Sequence, residues 1–481
     1  MAYNSLTEFV QVLEREGELK RVTYPVRAEF EITEIADRVM KSAGPALLFE
    51  SVLGKQIPVL INAFGSAKRM ALALGVRDVE EIAREVEKLV QTKPPKLFKD
   101  KLRLVLELVR LAGIPPKTVK EGECQQVIHR EPDLNILPVL TCWPGDAGPF
   151  ITLPTVFSKD PRKGTRNVGL YRMQIYDSRT TGMHWHLHKV GARHYEQQKA
   201  QKSRMELAVC LGGDPTLIYA ATAPLPDQID EILFAGFLRK KGVELVKGVT
   251  VDIEVPANAD IVIEGFVDPS EPLRREGPFG DHTGFYSLAD DYPVFHVTCV
   301  THKQNPIYPT TIVGRPPMED AYLGKATERI FLPLLRLTFP EIVDMNLPVH
   351  GVFHNLAIVS IKKEYPAHAR KIMHALWGMG QMMFTKILLI VDDDINVQDL
   401  SEVTWVVGNH IDPKRDVVFV EGPVDVLDHA APVMGFGSKM GIDATRKWRS
   451  EGFEREWPDA IVMDEKTKTY IDSIWEKLGI S

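Results

Sequence analysis

Hydrophobic positions fall into three textures along the chain. At the start, Leu6, Phe9, Val10 and Leu13 recur at helical intervals, Ser5 and Glu8 have capping-box spacing, and Gly17 ends the pattern, so an amphipathic helix opens the chain. A second helical pattern over 33–41 leads into apolar runs at 46–49 and 58–62, which read as strands of a small α/β unit. Charge-laced helical sequence runs from Asp78 to Leu111, broken by Pro94-Pro95 and closed by Pro115-Pro116, which predicts a boundary. From Gln125 to about Tyr308, short apolar and β-branched runs (168–175, 216–220, 261–266, 294–300) alternate with Gly, Pro, Asn and Asp. Helical patterns there are confined to 192–200 and 229–239, so a β-rich barrel or sandwich with two inserted helices is expected. After Pro316-Pro317 helix and strand alternate again, with 356–361, 387–391 and 417–420 as buried strands. A terminal helix, 467–478, carries Tyr470, Ile471, Ile474 and Trp475 on one face, suited to its own domain or to a neighbouring subunit. The expected division is an N-terminal α/β domain (1–115), a central β-rich domain (116–315), a C-terminal α/β domain (316–465) and a C-terminal helix (466–481).

Length and composition agree with this reading. A chain of 481 residues exceeds what one core supports, and 44% hydrophobic with 26% charged residues is ordinary for a globular protein. The net charge of -7, without basic runs, argues against nucleic acid as a partner. Cys124, Cys142, Cys210 and Cys299 form no CxxC pair, so neither a disulfide framework nor a thiolate metal site is indicated. The first residues lack a basic and apolar leader pattern, and no apolar run is long enough to span a bilayer. A reducing cytoplasm is the expected location, near a membrane surface if the substrate is greasy.

Candidate chemistry concentrates in Glu276-Gly277-Pro278-Phe279-Gly280-Asp281-His282-Thr283-Gly284, which sets two carboxylates on a Gly- and Pro-punctuated turn. Two acids held together in a dry pocket can divide the roles of proton donor and acceptor, although the same residues also suit an ordinary acidic turn. In Asn167-Val168-Gly169-Leu170-Tyr171-Arg172, strand alternation puts Asn167, Gly169 and Tyr171 on one face and Leu170 and Arg172 on the other. The Arg172 guanidinium needs a carboxylate or phosphate, from the protein or from a ligand. His184-Trp185-His186-Leu187-His188 spaces three imidazoles by two, a metal or phosphate pattern open to an all-His zinc site or to mixed ligation with Asn and Glu. Glu244, in an apolar run, needs a counter-charge from Lys247 or a metal ion. Gly435-Phe436-Gly437-Ser438-Lys439-Met440-Gly441 could hold a phosphate, or be only a turn.

These stretches, with Glu244-Leu245-Val246-Lys247 and Gly437-Ser438-Lys439-Met440-Gly441-Ile442-Asp443, occur in an order and spacing that resemble the UbiD family of decarboxylases over nearly the whole chain. The resemblance implies a flavin-reductase-like split β-barrel flanked by α/β domains. It also implies prenylated FMN with a divalent ion, usually Mn²⁺, on the cofactor phosphate, leaves room for K⁺, and implies a flavin prenyltransferase as supplier. By it, Asn167, His188 and Glu244 would hold the metal. Leu170, Tyr171, Arg172, His184, Trp185, His186, His188, Lys189, Val190 and Lys439 would line the cofactor, and Arg172, Glu276 and Asp281 would form the catalytic network. The implied reaction is reversible, non-oxidative decarboxylation of an aromatic or α,β-unsaturated acid, such as a 4-hydroxybenzoate-type or polyprenylated quinone precursor, by a homo-oligomer (dimer or hexamer). Two other readings stand beside it: a metal-dependent hydrolase built on His184, His186 and His188, and a non-catalytic flavin-binding protein.

Overall fold

The computed structural model describes residues 2–91, 115–185, 190–226 and 229–480. The opening helix, Leu6–Arg15, forms as its pattern predicts: Ser5 Oγ accepts the Glu8 N–H at 3.1 Å, and Leu6, Phe9, Val10 and Leu13 are buried. Helix Glu31–Lys41 and strands Leu19–Val22, Ala46–Phe49 and Val59–Ile61 follow. The fourth strand of this sheet comes from far along the chain, because Tyr308–Pro309 pairs in parallel with Val59–Ile61. Helix Glu80–Gln91 closes the first described stretch, and Pro94-Pro95 lies outside the described residues.

The central sheet has seven strands, all paired antiparallel: Thr180–Gly182, Val294–His302, Ile261–Val267, Met205–Leu211, Thr155–Lys159 and Arg166–Leu170 in that order, with Val127–His129 also pairing with Val294–His302. Among the described residues the two end strands do not pair, so the split barrel implied by the resemblance is not closed here. The reason is local. Helices Val190–Gln201, Pro215–Thr222 and Glu231–Arg239 pack against Arg166–Leu170, and the Glu231 carboxylate accepts the Val168 N–H at 3.0 Å, a hydrogen bond a closing strand would otherwise take. Residues 216–220, expected as strand, are helical because Asp214 caps the Thr216 N–H at 2.9 Å and Pro215 occupies the first turn.

In the C-terminal sheet the order is Ile342–Asn346, Leu356–Ile361, Ile387–Asp392, Phe436–Asp443, Val417–Pro423, with the middle three strands parallel and both edges antiparallel. The Gly-rich segment at 435–441 is therefore mostly strand rather than a phosphate-binding loop. Helix Asp320–Thr338, which leads into this sheet, packs against Glu80–Gln91 of the N-terminal unit, so the units are interlocked. The terminal helix Glu465–Ile474 buries none of its residues, and Tyr470 and Trp475 are exposed.

Candidate active site

The strand Arg166–Leu170 and the turn after Arg274–Glu276 bring the main candidates together. A Cβ on Gly169 would lie 2.3 Å from the Tyr171 hydroxyl oxygen, so the absence of a side chain lets Tyr171 fold back over its own strand. Arg172, the next residue, faces the turn. That turn is pinned by two short ladders, Arg274–Glu276 with Asp290–Tyr292 and Phe279–Gly280 with Tyr286–Ser287. Its backbone is tied down further: the Gly277 N–H donates to Gln174 Oε1 at 2.8 Å and the Gly280 N–H to Asp146 Oδ1 at 2.7 Å. A Cβ on Gly280 would come within 2.2 Å of Trp143 Cδ1.

Arg172 joins the two acids. Its Nε and Nη2 donate to the Glu276 oxygens at 3.0 and 3.2 Å, Nη1 donates to Asp281 Oδ2 at 2.5 Å, and Nη2 also donates to Ser287 Oγ at 3.1 Å. Its guanidinium carbon lies 4.6 Å from the centre of the Phe279 ring. Glu276 is fully buried, and His184 Nδ1 sits 3.1 Å from its second oxygen. Burial opposes ionisation of Glu276 most strongly, but the His184 hydrogen bond and the Arg172 charge outweigh it and hold the carboxyl at about 2. At Asp281 burial again opposes, and the contact with His282 and the charge of Arg172 hold it well below the usual carboxylate range. The arrangement is a buried cation locked between two carboxylates, both ionised at rest.

A second group lies on the other face of the strand. Asn167 is buried, its Nδ2 donates to Ser158 Oγ at 3.4 Å, and Ser158 Oγ lies 3.1 Å from His194 Nδ1. The Tyr171 hydroxyl is within the field of Asn167 and Glu231. Glu231, at the first turn of its helix, is pushed up to about 7 by burial, which its hydrogen bonds to backbone N–H groups, including that of Val168, do not offset. The nearby cation, Arg166, is committed to Asp230 and Glu254 at 3.0 and 2.8 Å.

The remaining candidates separate. Leu170 ends its strand half-buried, Tyr171, His184 and Trp185 are buried, and Val190 begins a helix. His186, His188 and Lys189 lie outside the described residues. Glu244 is not brought to the site: it is exposed on Glu244–Lys247, between strands Lys117–Val119 and Glu254–Pro256, so its carboxylate is solvated and needs no counter-ion. Lys439 is buried opposite Val420, where its ammonium donates to the Met383 carbonyl, and burial pushes it down to about 8. Glu231 escaped the sequence reading, which weighed the acid in the apolar run after the helix and passed over the one in its first turn. The signal available was a carboxylate ahead of the apolar run Ile232-Leu233-Phe234-Ala235-Gly236-Phe237-Leu238.

Three family models, the N-terminal, Rift-related and C-terminal domains of 3-octaprenyl-4-hydroxybenzoate carboxy-lyase, match residues 10–89, 117–316 and 321–444. An uncharacterized protein of Aquifex aeolicus (strain VF5) is 52% identical over 481 residues, covering 99% of each chain. The closed form of the vanillic acid decarboxylase of Sedimentibacter hydroxybenzoicus superposes with a TM-score of 0.87 at 28% identity, covering 99% of both chains. An evolved dimeric form of the UbiD-class enzyme HmfF from Pelotomaculum thermopropionicum, in complex with prenylated FMN, superposes with a TM-score of 0.79 at 31% identity, covering 95% of this chain and 97% of that one. The class these matches define is that of a carboxy-lyase. The chain belongs to the UbiD family of decarboxylases.

Proposed function

We propose that this chain is a reversible, non-oxidative decarboxylase of aromatic or α,β-unsaturated acids that uses prenylated FMN, with a 4-hydroxybenzoate-type or polyprenylated quinone precursor as substrate. The observation that carries the reading is the buried Arg172–Glu276–Asp281 cluster. The other side of the site fits the cofactor as well. Among the described residues the buried Trp185 Nε1–H has no acceptor, and it suits a ligand oxygen. Asn167 and Glu231 offer hard oxygen donors to a divalent ion, manganese in this reading, with His188 as the nitrogen donor. We accordingly assign Glu231 the role that the resemblance gave to Glu244. No residues are assigned to K⁺.

Bound there, prenylated FMN supplies the electron sink that side chains lack when carbon dioxide leaves an unsaturated carbon. The chain's residues do the rest. Arg172 keeps Glu276 and Asp281 ionised and offers the substrate carboxylate a cation during entry. Glu276 then relays a proton to the carbon that lost carbon dioxide, with Asp281 as the second acid or base. Coupled carboxylates of this kind titrate as a pair. In this reading the domains are 1–115, 116–315, 316–465 and 466–481, and the unpacked terminal helix supports a homo-oligomer. Among the described residues no helix is long and apolar enough to cross a membrane.

The test is coexpression with a flavin prenyltransferase, mass spectrometry of the released cofactor and a screen for carbon dioxide release from hydroxylated, prenylated and heteroaromatic acids. Prenylated FMN and turnover of at least one acid are expected. Protein that stays colourless and inactive after coexpression overturns the reading.

A further inference from the structure

Beyond Asp281 lies a pair of imidazoles that the proposed chemistry has not yet used. Asp281 Oδ1 accepts both the N–H and Nδ1–H of His282, at 2.8 and 2.9 Å, and His282 Nε2 meets His354 Nε2 at 2.8 Å. A nitrogen pair at this distance shares one hydrogen. With Nδ1–H already given to Asp281, the two arrangements are a neutral His282 that accepts from His354, or an imidazolium that donates to it.

The surroundings favour the imidazolium. Asp281, Asp320 on helix Asp320–Thr338 and Asp425 beyond Val417–Pro423 all act on His282, with Arg172 on the far side of Asp281. Burial works against its charge, yet these acids raise it above the ordinary imidazole value. Burial pushes His354 down to about 4, so it is the neutral acceptor. His354 Nδ1 and Asn355 Oδ1 are both buried, and the Asn355 side chain acts on the His354 ring.

His354 is aimed by strained backbone. Val352 and Phe353, neither a glycine, have φ of 46° and 49°, a conformation branched and bulky residues avoid. Phe353 is pressed against Gly324, where a Cβ would sit 2.8 Å from its own, and its ring stacks on His282 at 5.2 Å. A second histidine of the C-terminal unit, His429, reaches Thr283 Oγ1 at 3.1 Å. The loop before Leu356–Ile361 is thus built to press one ring and one imidazole onto the residue after Asp281.

We propose that His282 is the resident proton store of the site and that His354, supplied by the C-terminal unit, is the positioning residue that keeps His282 protonated against Asp281. The inference rests on the decarboxylase reading above. Because both carboxylates are ionised at rest, neither holds the proton each turnover consumes. In the step, the His282 Nδ1–H bond breaks with its electron pair left on nitrogen, an O–H bond forms on Asp281 Oδ1, and Asp281 then serves as the protonated acid of the pair. The proton is restored from solution after product leaves.

The test combines ¹⁵N-histidine NMR of the cofactor-free protein, with His282 assigned by its loss in His282→Gln, and pH profiles on the acid turned over in the screen. In the wild type His282 should be an imidazolium at pH 7. In His354→Phe its pKa should fall by about one unit, since an acceptor for the charged form is lost, and in His354→Gln, whose amide oxygen can accept, it should stay near wild type. The kcat of His354→Phe should fall about tenfold with KM within about twofold, its alkaline limb moving to lower pH by the NMR shift. A neutral wild-type His282 at pH 7, or a folded His354→Phe with an unmoved titration, overturns the inference. If His354→Phe does not fold, the wild-type titration decides. Should no acid be turned over, the decarboxylase reading fails on its own, while the NMR still decides the pairing.

Discussion

Two buried acid groups flank the same strand, and they solve the problem of burial differently. On one side Arg172 lies between Glu276 and Asp281 and, with His184 on Glu276 and His282 on Asp281, keeps both charged. On the other, Glu231 is half-buried with backbone N–H groups for company, and its carboxyl rises to about 7. Under the proposed function, this contrast separates a half of the site finished by the polypeptide from one left for a ligand to complete. A buried carboxylate with an internal guanidinium is ready for proton chemistry, whereas one without a cation is ready to receive one.

Removing the cation from the finished half should have the largest effect. Arg172→Ala takes the shared guanidinium from two buried carboxylates, leaving Glu276 only His184 and Asp281 only His282 as partners, and should cost about 3–5 kcal/mol in denaturant unfolding. The same variant sharpens the acid side. Glu276 contributes stability that is fully present above its free value of about 4.3 and is lost as pH falls through the folded value of about 2. Arg172→Ala should therefore flatten the decline of wild-type stability between those limits, and an unchanged slope would show that the pair carries no such linkage.

Next, Glu276→Gln should lower kcat by about 10²–10⁴ with cofactor content unchanged, read by absorbance and single-turnover carbon dioxide release. Normal turnover would move the proton relay elsewhere. In the unfinished half, Glu231→Gln should weaken divalent-metal retention by about 10–100-fold, measured by metal analysis after dialysis, while keeping the fold. Glu244→Gln should do nearly nothing, staying within about 0.5 kcal/mol in stability and keeping its metal. Reversed outcomes for these two variants would restore Glu244 to the cation.

This difference between halves also explains what could be read from the chain alone. The turn 276–284 was legible because its chemistry is local, with two acids, a proline and three glycines in nine residues. The other side joins a strand to the start of a distant helix, where Glu231 accepts the Val168 N–H, and spacing along the chain says little about which distant acid reaches that strand. Glu244, which the resemblance made a metal ligand, lies in an apolar run, but its pleat turns the carboxylate to solvent. The opening helix and the strands 356–361 and 387–391 followed their patterns, since capping and apolar runs are short-range signals, whereas 417–420, expected as a buried strand, lies at the sheet edge with Phe419 exposed. Residues 216–220 did not, because the Asp214 cap and Pro215 outweighed β-branched and aromatic composition. The open edge of the central sheet was hidden for a similar reason: its covering is a side chain from a helix, which no alternation pattern encodes.

The first sheet carries a further consequence for how the polypeptide is made. Its last strand, Tyr308–Pro309, is synthesised after the whole central sheet, so an emerging chain holds Val59–Ile61 with one edge unsatisfied until the ribosome has passed Pro309. Such late, sequence-distant closure slows folding and favours chaperone engagement. It also means that a fragment cut at a domain boundary near residue 115 would lose its finishing strand, and the first two units are best regarded as one nascent-chain assembly problem.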